Sequence, residues 1–386
     1  MANQNNTNQT RSQLPLDQIP ADLVSLADIE HYSTQHLSPG VSAYINGGVA
    51  DEICLRRNRL QWQCYFIEQR VLADCSAGHT RLELLGQALD HPFVLAPVAH
   101  QQLAHPDGEV ATAIAAAALG GGMIVSQEAD CIYSDVVTAT DHLCWLQLYL
   151  TSNEQTNLTK AEIAARTGFQ ALVVTLDAPV NGIRNRLHRS GFQVPVSTNR
   201  LSGNGLDERQ RKTPEQLAPG SSLVFQQLMT AAPNWQTMAA FVKHCPLPVI
   251  AKGVSHPDDA QRLVDLGCQA LIMSNHGGRV LDESVTPLHA LTRIRKSLAP
   301  DIPLLVDGGI RRGADAFIAL AAGATAVLVG RPQVHSLAVA GAAGVARMLR
   351  ILRDELEVTM SLAGCPTLAS INSTCIYQSA REQQLC

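Results

Sequence analysis

Residues 247–275, LPVIAKGVSHPDDAQRLVDLGCQALIMSN, hold one complete strand–helix–strand unit. Leu247–Lys252 and Ala270–Asn275 are short aliphatic runs that end on polar residues, as strands do when both of their faces are covered. Between them, His256-Pro257-Asp258-Asp259 supplies a helix start. Ala260, Leu263, Val264 and Leu266 give that helix an apolar face, and Gly267 stops it.

The same unit recurs in both directions along the chain. Further candidate strands are Phe93–Pro97, Met123–Ser126, Cys144–Tyr149, Ala171–Asp177, Pro303–Asp307 and Ala326–Gly330. Arg312-Gly313-Ala314-Asp315 opens another helix, which runs to Ala322-Gly323. Most strands are roughly 20–35 residues apart, the length of one βα unit. Eight such units in one chain predict an α/β fold, a closed (β/α)8 TIM barrel. A doubly wound open sheet is the rival, and it would place a GxGxxG turn after its first strand. The turn here, Val98-Ala99-His100-Gln101-Gln102, has no glycine. The expected organisation is a disordered tail over 1–20 and a single barrel domain over 21–386. A long loop insertion, 178–232, follows the fourth strand. It reads either as a solvated excursion or as a lid over the barrel mouth.

Composition narrows the function. The 386 residues are 46% hydrophobic and 16% charged with a net charge of −5, so neither nucleic acid nor an anionic membrane is expected as a partner. No run approaches the ~20 uninterrupted apolar residues of a membrane span. The polar N-terminus lacks an apolar signal core, and the terminal Gln384-Leu385-Cys386 matches no peroxisomal or prenylation signal, which leaves a cytoplasmic location as the expectation. The ten cysteines are scattered without a CxxC pair and read as buried thiols, with no metal site.

In such a barrel the strand C-termini form the active face. Ser126, Gln147, Tyr149, Thr175, Asp177, Lys252, Ser274, Asn275, His276 and Asp307 all fall there, more polar groups than packing requires. Ser274-Asn275-His276-Gly277-Gly278-Arg279 ends the sixth strand. It joins a base that works near neutral pH to a planar fork suited to a carboxylate. Asp307-Gly308-Gly309-Ile310-Arg311-Arg312-Gly313 and Gly330-Arg331-Pro332 follow the seventh and eighth strands, where barrels commonly hold phosphate on exposed backbone N–H groups. Together the two loops point to a phosphorylated cofactor.

From about Val24 to Ile371 the chain resembles the FMN-dependent 2-hydroxy acid oxidases and dehydrogenases. The resemblance rests on Ser274–Arg279, Ala104–Glu109, Leu146–Tyr149, Pro248–Gly253 and Asp307–Gly313. It implies FMN as cofactor, a small 2-hydroxy acid and O2 as substrates, and a homotetramer. It also implies residue roles. His276 is the base and Asp177 stabilises its imidazolium. Arg279 and Arg184, with Tyr44, hold the substrate carboxylate, and Tyr149 bonds the reacting oxygen. Lys252 stabilises the reduced flavin. Pro97, Val98, Ala99, Ser126, Gln147, Thr175, Lys252 and Ser274 surround the ring and ribityl chain, and Asp307, Gly308, Gly309, Arg311, Gly330 and Arg331 hold the phosphate end.

Three positions depart from the family pattern. Glu128 stands where relatives place a bulky pocket residue, Val98 replaces the Thr of glycolate oxidases, and Asn185 follows Arg184 in place of an acid. Glu128 is expected to line the substrate pocket and meet a polar or cationic group there, unless it turns outward or pairs with an arginine of the insertion. Ala99 resembles the residue that oxidases of the family place beside the flavin, so the expected reaction is oxidation to the 2-oxo acid with hydrogen peroxide released. A quinone-linked dehydrogenase, a flavin-dependent isomerase and a flavoprotein that no longer turns over are the alternatives. The isomerase would leave the carboxylate clamp idle.

Overall fold

The computed structural model describes residues 13–195 and 220–378. Eight parallel strands close into a barrel in chain order: β1 Phe93–Leu95, β2 Gly122–Val125, β3 Cys144–Leu148, β4 Leu172–Thr175, β5 Val249–Lys252, β6 Ala270–Met273, β7 Leu304–Val306 and β8 Ala326–Val329. β8 closes on β1 through Val327–Phe93, Leu328–Val94 and Val329–Leu95. Each strand lies where the sequence reading puts it, with ends that differ by one or two residues.

Side-chain alternation divides the apolar residues into two cores. Val94, Ile124, Trp145, Val173, Ile250, Ile272, Leu305 and Leu328, one from each strand, fill the inside of the barrel. Their neighbours in sequence point outward and pack under the helices. An antiparallel hairpin, Leu82–Leu84 with Gln87–Leu89, adds Leu84 and Leu89 to the inner core beside Leu143, Ala171 and Ala326. It therefore closes the end of the barrel where the strands start and leaves the other end as the mouth.

The helix Arg331–Leu362 is long and apolar enough to cross a membrane by length and composition, which the search for an uninterrupted apolar run did not register. It is mostly buried against the helices Gly108–Ala118 and Leu26–His36, and Ala340 and Gly341 interrupt its helical backbone. Two expectations change. Residues 1–12 of the expected tail lie outside the described residues, but Leu16 donates its N–H to Val339 O (2.7 Å), and Leu16 and Ile19 pack on the core. Short apolar anchors hold a polar segment in a way its composition did not indicate. Eight cysteines are free thiols, five of them buried, but Cys64 is disulfide-bonded, which corrects the all-thiol expectation. Counting CxxC pairs detects only bonds that are local in sequence. Cys386 lies outside the described residues.

Trp145 is 1% exposed inside the barrel. Trp145→Ala is expected to lower unfolding stability by about 3–5 kcal/mol, because eight strands fixed by their ladders cannot collapse into the void. A shift in the denaturant midpoint checks this.

Candidate active site

The alternation that fills the barrel also builds its mouth. Two residues beyond each inner core residue lie Ala96, Ser126, Gln147, Thr175, Lys252, Ser274, Asp307 and Gly330. Small residues therefore stand at β8 and β1 and polar ones at the other six strands. They open into one large cavity, lined also by Pro97, Val98 and Ala99 after β1, by Gly308, Gly309 and Arg311 after β7, and by Arg331 after β8.

A chain of hydrogen bonds ties three of these groups together. Lys252 Nζ donates to Ser274 Oγ (2.8 Å), which donates to Asp307 Oδ2 (2.7 Å). Lys252 also lies 3.4 Å from Asp307, so a 4% exposed ammonium is matched by a carboxylate. Ser274 Oγ further accepts from the His276 N–H (3.1 Å), which fixes the start of the signature turn. His276, Gly277 and Gly278 all have positive φ (58°, 64° and 73°). At Gly278 a Cβ would stand 2.7 Å from the Leu55 backbone nitrogen, so the turn accepts no side chain there.

This turn brings His276 to the cavity with its Nδ1 3.0 Å from Asp177 Oδ1. Asp177 sits behind the imidazole. Burial pushes its carboxyl up, but the His276 hydrogen bond and the Lys252 charge outweigh that and hold it below the usual carboxylate value. Arg279 NH1 donates to the carbonyls of Tyr44 (2.8 Å), Ile45 (3.1 Å) and Gly47 (3.2 Å). Its guanidinium stands 5.3 Å from the Tyr44 ring centroid, and that of Arg184 stands 5.6 Å from it. Neither arginine has a carboxylate partner among the described residues. Burial, then Arg184, pull Arg279 down to about 10. The Tyr149 phenol also lines the cavity, and burial followed by Asp177 and Glu128 raises it.

Two more guanidiniums, half-buried, lie at the phosphate loops. Arg331 is held by the carbonyls of Ile45, Gly47 and Gly277 and is pulled down to about 9 by burial and by Arg279, Arg311 and Arg59. Arg311, down to about 10 for the same kind of reason, donates to Ile310 O and lies 3.8 Å from Glu30, too far for a hydrogen bond. Gly309, with φ at +87°, lies so close to Asn58 O that a Cβ would overlap it at 1.9 Å. The Gly308 carbonyl is fixed by Gln61 Nε2 (2.9 Å) and Trp62 Nε1 (3.0 Å).

The mouth thus collects every residue that the resemblance implicates, with Asp177 and Ser274 just behind the cavity wall. Sequence reading missed Gln127, whose Oε1 accepts the Tyr149 N–H (3.0 Å), and Lys160. Asn157, Lys160, Ala161 and Ala164 form the buried i, i+3, i+4, i+7 stripe of the helix Glu154–Thr167, so a lysine on an apolar stripe was the available signal. The insertion contributes Arg184, Leu187, Phe192 and Met229 to the cavity wall, and 196–219 lie outside the described residues.

Comparison with known proteins places this geometry. A profile of the FMN-dependent dehydrogenase family matches residues 33–378. The chain belongs to that family of FMN-dependent 2-hydroxy acid oxidases. It is 43% identical to an L-lactate oxidase of Alicycliphilus denitrificans over 92% of this chain and 97% of that protein. It is 35% identical to glycolate oxidase 1 of Zea mays over 91% and 94%. A crystal structure of mandelate oxidase with benzoyl-formic acid superposes with a TM-score of 0.80 at 33% identity, covering 90% of this chain and 96% of that one.

FMN is the cofactor of this family, and the mouth fits it. Buried polar atoms without partners here include Gln147 Nε2, Asp307 Oδ1 and Arg311 Nε: two donors and an acceptor, as a ring edge, a polyol and a phosphate require. Arg331→Met is expected to raise the FMN dissociation constant about ten- to a hundredfold, the range for one charge-assisted bond. Titrating apoprotein while following flavin fluorescence measures it.

Proposed function

We propose that the protein oxidises an L-2-hydroxy acid to the 2-oxo acid and reduces O2 to hydrogen peroxide. The observation that carries this reading is the placement of His276, Tyr149, Arg279 and Arg184 around one cavity that also holds the cofactor residues, with no carboxylate on either arginine among the described residues. FMN, when bound, would supply the two-electron chemistry between C2 of the substrate and O2. Arg279 and Arg184, with the Tyr44 hydroxyl, bind and orient the substrate carboxylate. Tyr149 holds the C2 oxygen, and the ring nitrogen of His276 that faces the cavity takes the proton. Asp177, ionised beside Nδ1, stabilises the imidazolium that results. Lys252 places a fixed positive charge where the reduced cofactor gains electron density, at no cost in reorganisation.

The oxidase names of the relatives and the small Ala99 beside the cofactor position support O2 over a quinone as acceptor. We read the insertion 178–232 as a cover over the substrate, since its described parts line the cavity. A single domain, a homotetramer and a cytoplasmic location belong to the same reading.

The purified enzyme, supplied with L-lactate in air, is expected to release pyruvate and peroxide in equal amounts. Pyruvate formed without peroxide would remove the oxidase half of the proposal. His276→Ala is expected to keep its flavin while anaerobic reduction slows about 10²- to 10⁴-fold. Arg279→Lys is expected to raise KM more than it lowers kcat, because an ammonium makes no bidentate pair. Stopped-flow absorbance of the flavin and steady-state kinetics read these two outcomes.

A further inference from the structure

The cavity contains a charge that the reaction above does not use. Glu128 lies in its wall, with its N–H donating to Ser126 Oγ (3.1 Å) and its carbonyl accepting from the His100 N–H (3.2 Å). These two bonds hold its main chain in place. Its carboxylate receives one long contact, from Gln127 Nε2 at 3.4 Å, and no Lys, Arg or His among the described residues comes within ion-pair distance. The expected alternative, pairing with an arginine of the insertion, is therefore not what the described residues show.

Behind Gln127 lies Lys160, 4% exposed, whose ammonium reaches only Gln127 Oε1 and the Tyr149 carbonyl, both at 3.5 Å. Burial lowers its pKa, and the attraction of Glu128 acts the other way. A cation and an anion thus feel each other across one glutamine without closing into a pair. The arrangement keeps the carboxylate in the cavity with open acceptor positions. Glu128 shares the cavity wall with Tyr44 and Tyr149, the groups that would hold the substrate's carboxylate and C2 oxygen, and after burial as the main cause its charge also raises both phenols. A carboxylate enclosed beside a bound ligand costs free energy unless it meets donors. With Arg279, Arg184 and Tyr149 engaged by C1 and C2, the group that remains to meet it is the side chain on C2.

We propose that Glu128 is a specificity residue that accepts hydrogen bonds from a hydroxyl or ammonium at the end of the side chain of an L-2-hydroxy acid. The proposal rests on the oxidase reading. It disfavours an apolar side chain of the same size, and a second carboxylate still more.

Three substrates that differ only in a terminal methyl, hydroxyl or ammonium test it: L-2-hydroxypentanoate, L-2,4-dihydroxybutanoate and L-4-amino-2-hydroxybutanoate. L-2-hydroxypentanedioate supplies the terminal carboxylate. Anaerobic flavin reduction of the wild-type holoenzyme is expected to favour at least one donor compound over the methyl compound by about tenfold or more in rate over affinity constant, with the dicarboxylate slowest. Glu128→Gln is expected to keep a hydroxyl preference and lose an ammonium preference, and Glu128→Leu to lose both. A wild-type enzyme that handles the methyl compound as well as both donor compounds overturns the proposal and leaves the oxidase reading standing. A donor preference that survives in Glu128→Leu does the same. If no 2-hydroxy acid, L-lactate included, reduces the flavin, both readings fall together.

Discussion

Crowded positive charge governs the top of this barrel. Arg279, Arg311 and Arg331 line the cavity half-buried, and each lowers the pKa of a neighbour in the group or is lowered by it. Carbonyl oxygens of Tyr44, Ile45, Gly47, Gly277 and Ile310 hold the guanidiniums in place, but a carbonyl offers a partial charge only. The nearby acids are largely engaged elsewhere: Glu30 pairs with Arg59, and Glu52 with Arg186. Desolvated cations without full counter-charges are costly to fold around. Anions that bind only the folded state offset that cost by mass action. A cofactor phosphate and a substrate carboxylate are such anions, and under the proposed function they would bind at the fold's least favourable feature.

The barrel tolerates this because its apolar and polar tasks are separated by a two-residue step. Each strand gives one residue to the inner core, and its next inward position reaches the mouth. Ile250 leads to Lys252, Ile272 to Ser274, and Leu305 to Asp307. A rigid ladder fixes this step, and Thr175 sits beside Lys252 in register for the same reason. Groups set on strand ends keep their geometry before any ligand arrives, which is the condition under which electrostatic stabilisation needs no rearrangement. Where the mouth must instead leave room, at β8 and β1, the same positions are Gly330 and Ala96.

That step also explains how much could be read without coordinates. The eight strands were legible because buried parallel strands are short aliphatic runs with polar ends, and the polar ends were themselves the site. His276 and Arg279 stood out because two glycines between them have little other purpose. The charge relations were not legible. Nothing in the sequence sets Lys160 opposite Glu128, because the pairing depends on how far a helix after β3 leans toward the loop after β2. Arg184 entered through the resemblance alone, because no local pattern sets its guanidinium over the Tyr44 ring. The docking of Leu16 on Val339 is a long-range contact, invisible to any local pattern.

Asp177 extends the charge argument to the proton. Burial alone would raise its carboxyl, yet it lies below the usual 3.8 because of the His276 hydrogen bond and the Lys252 charge. A carboxyl lowered in the folded state contributes stability that is fully present above its unfolded value and lost as pH falls through the folded one. The sign therefore keeps Asp177 ionised through the whole neutral range. Its second oxygen, Oδ2, is buried without a partner, so little of its charge is committed to other donors. An ionised Oδ1 3.0 Å from Nδ1 fixes the orientation of the imidazole that lines the cavity. Lys252 has Ser274 and Asp307 as its near partners, and its charge reaches Asp177 as well. One fixed cation thus holds Asp307 by contact and also helps to keep Asp177 ionised behind the base.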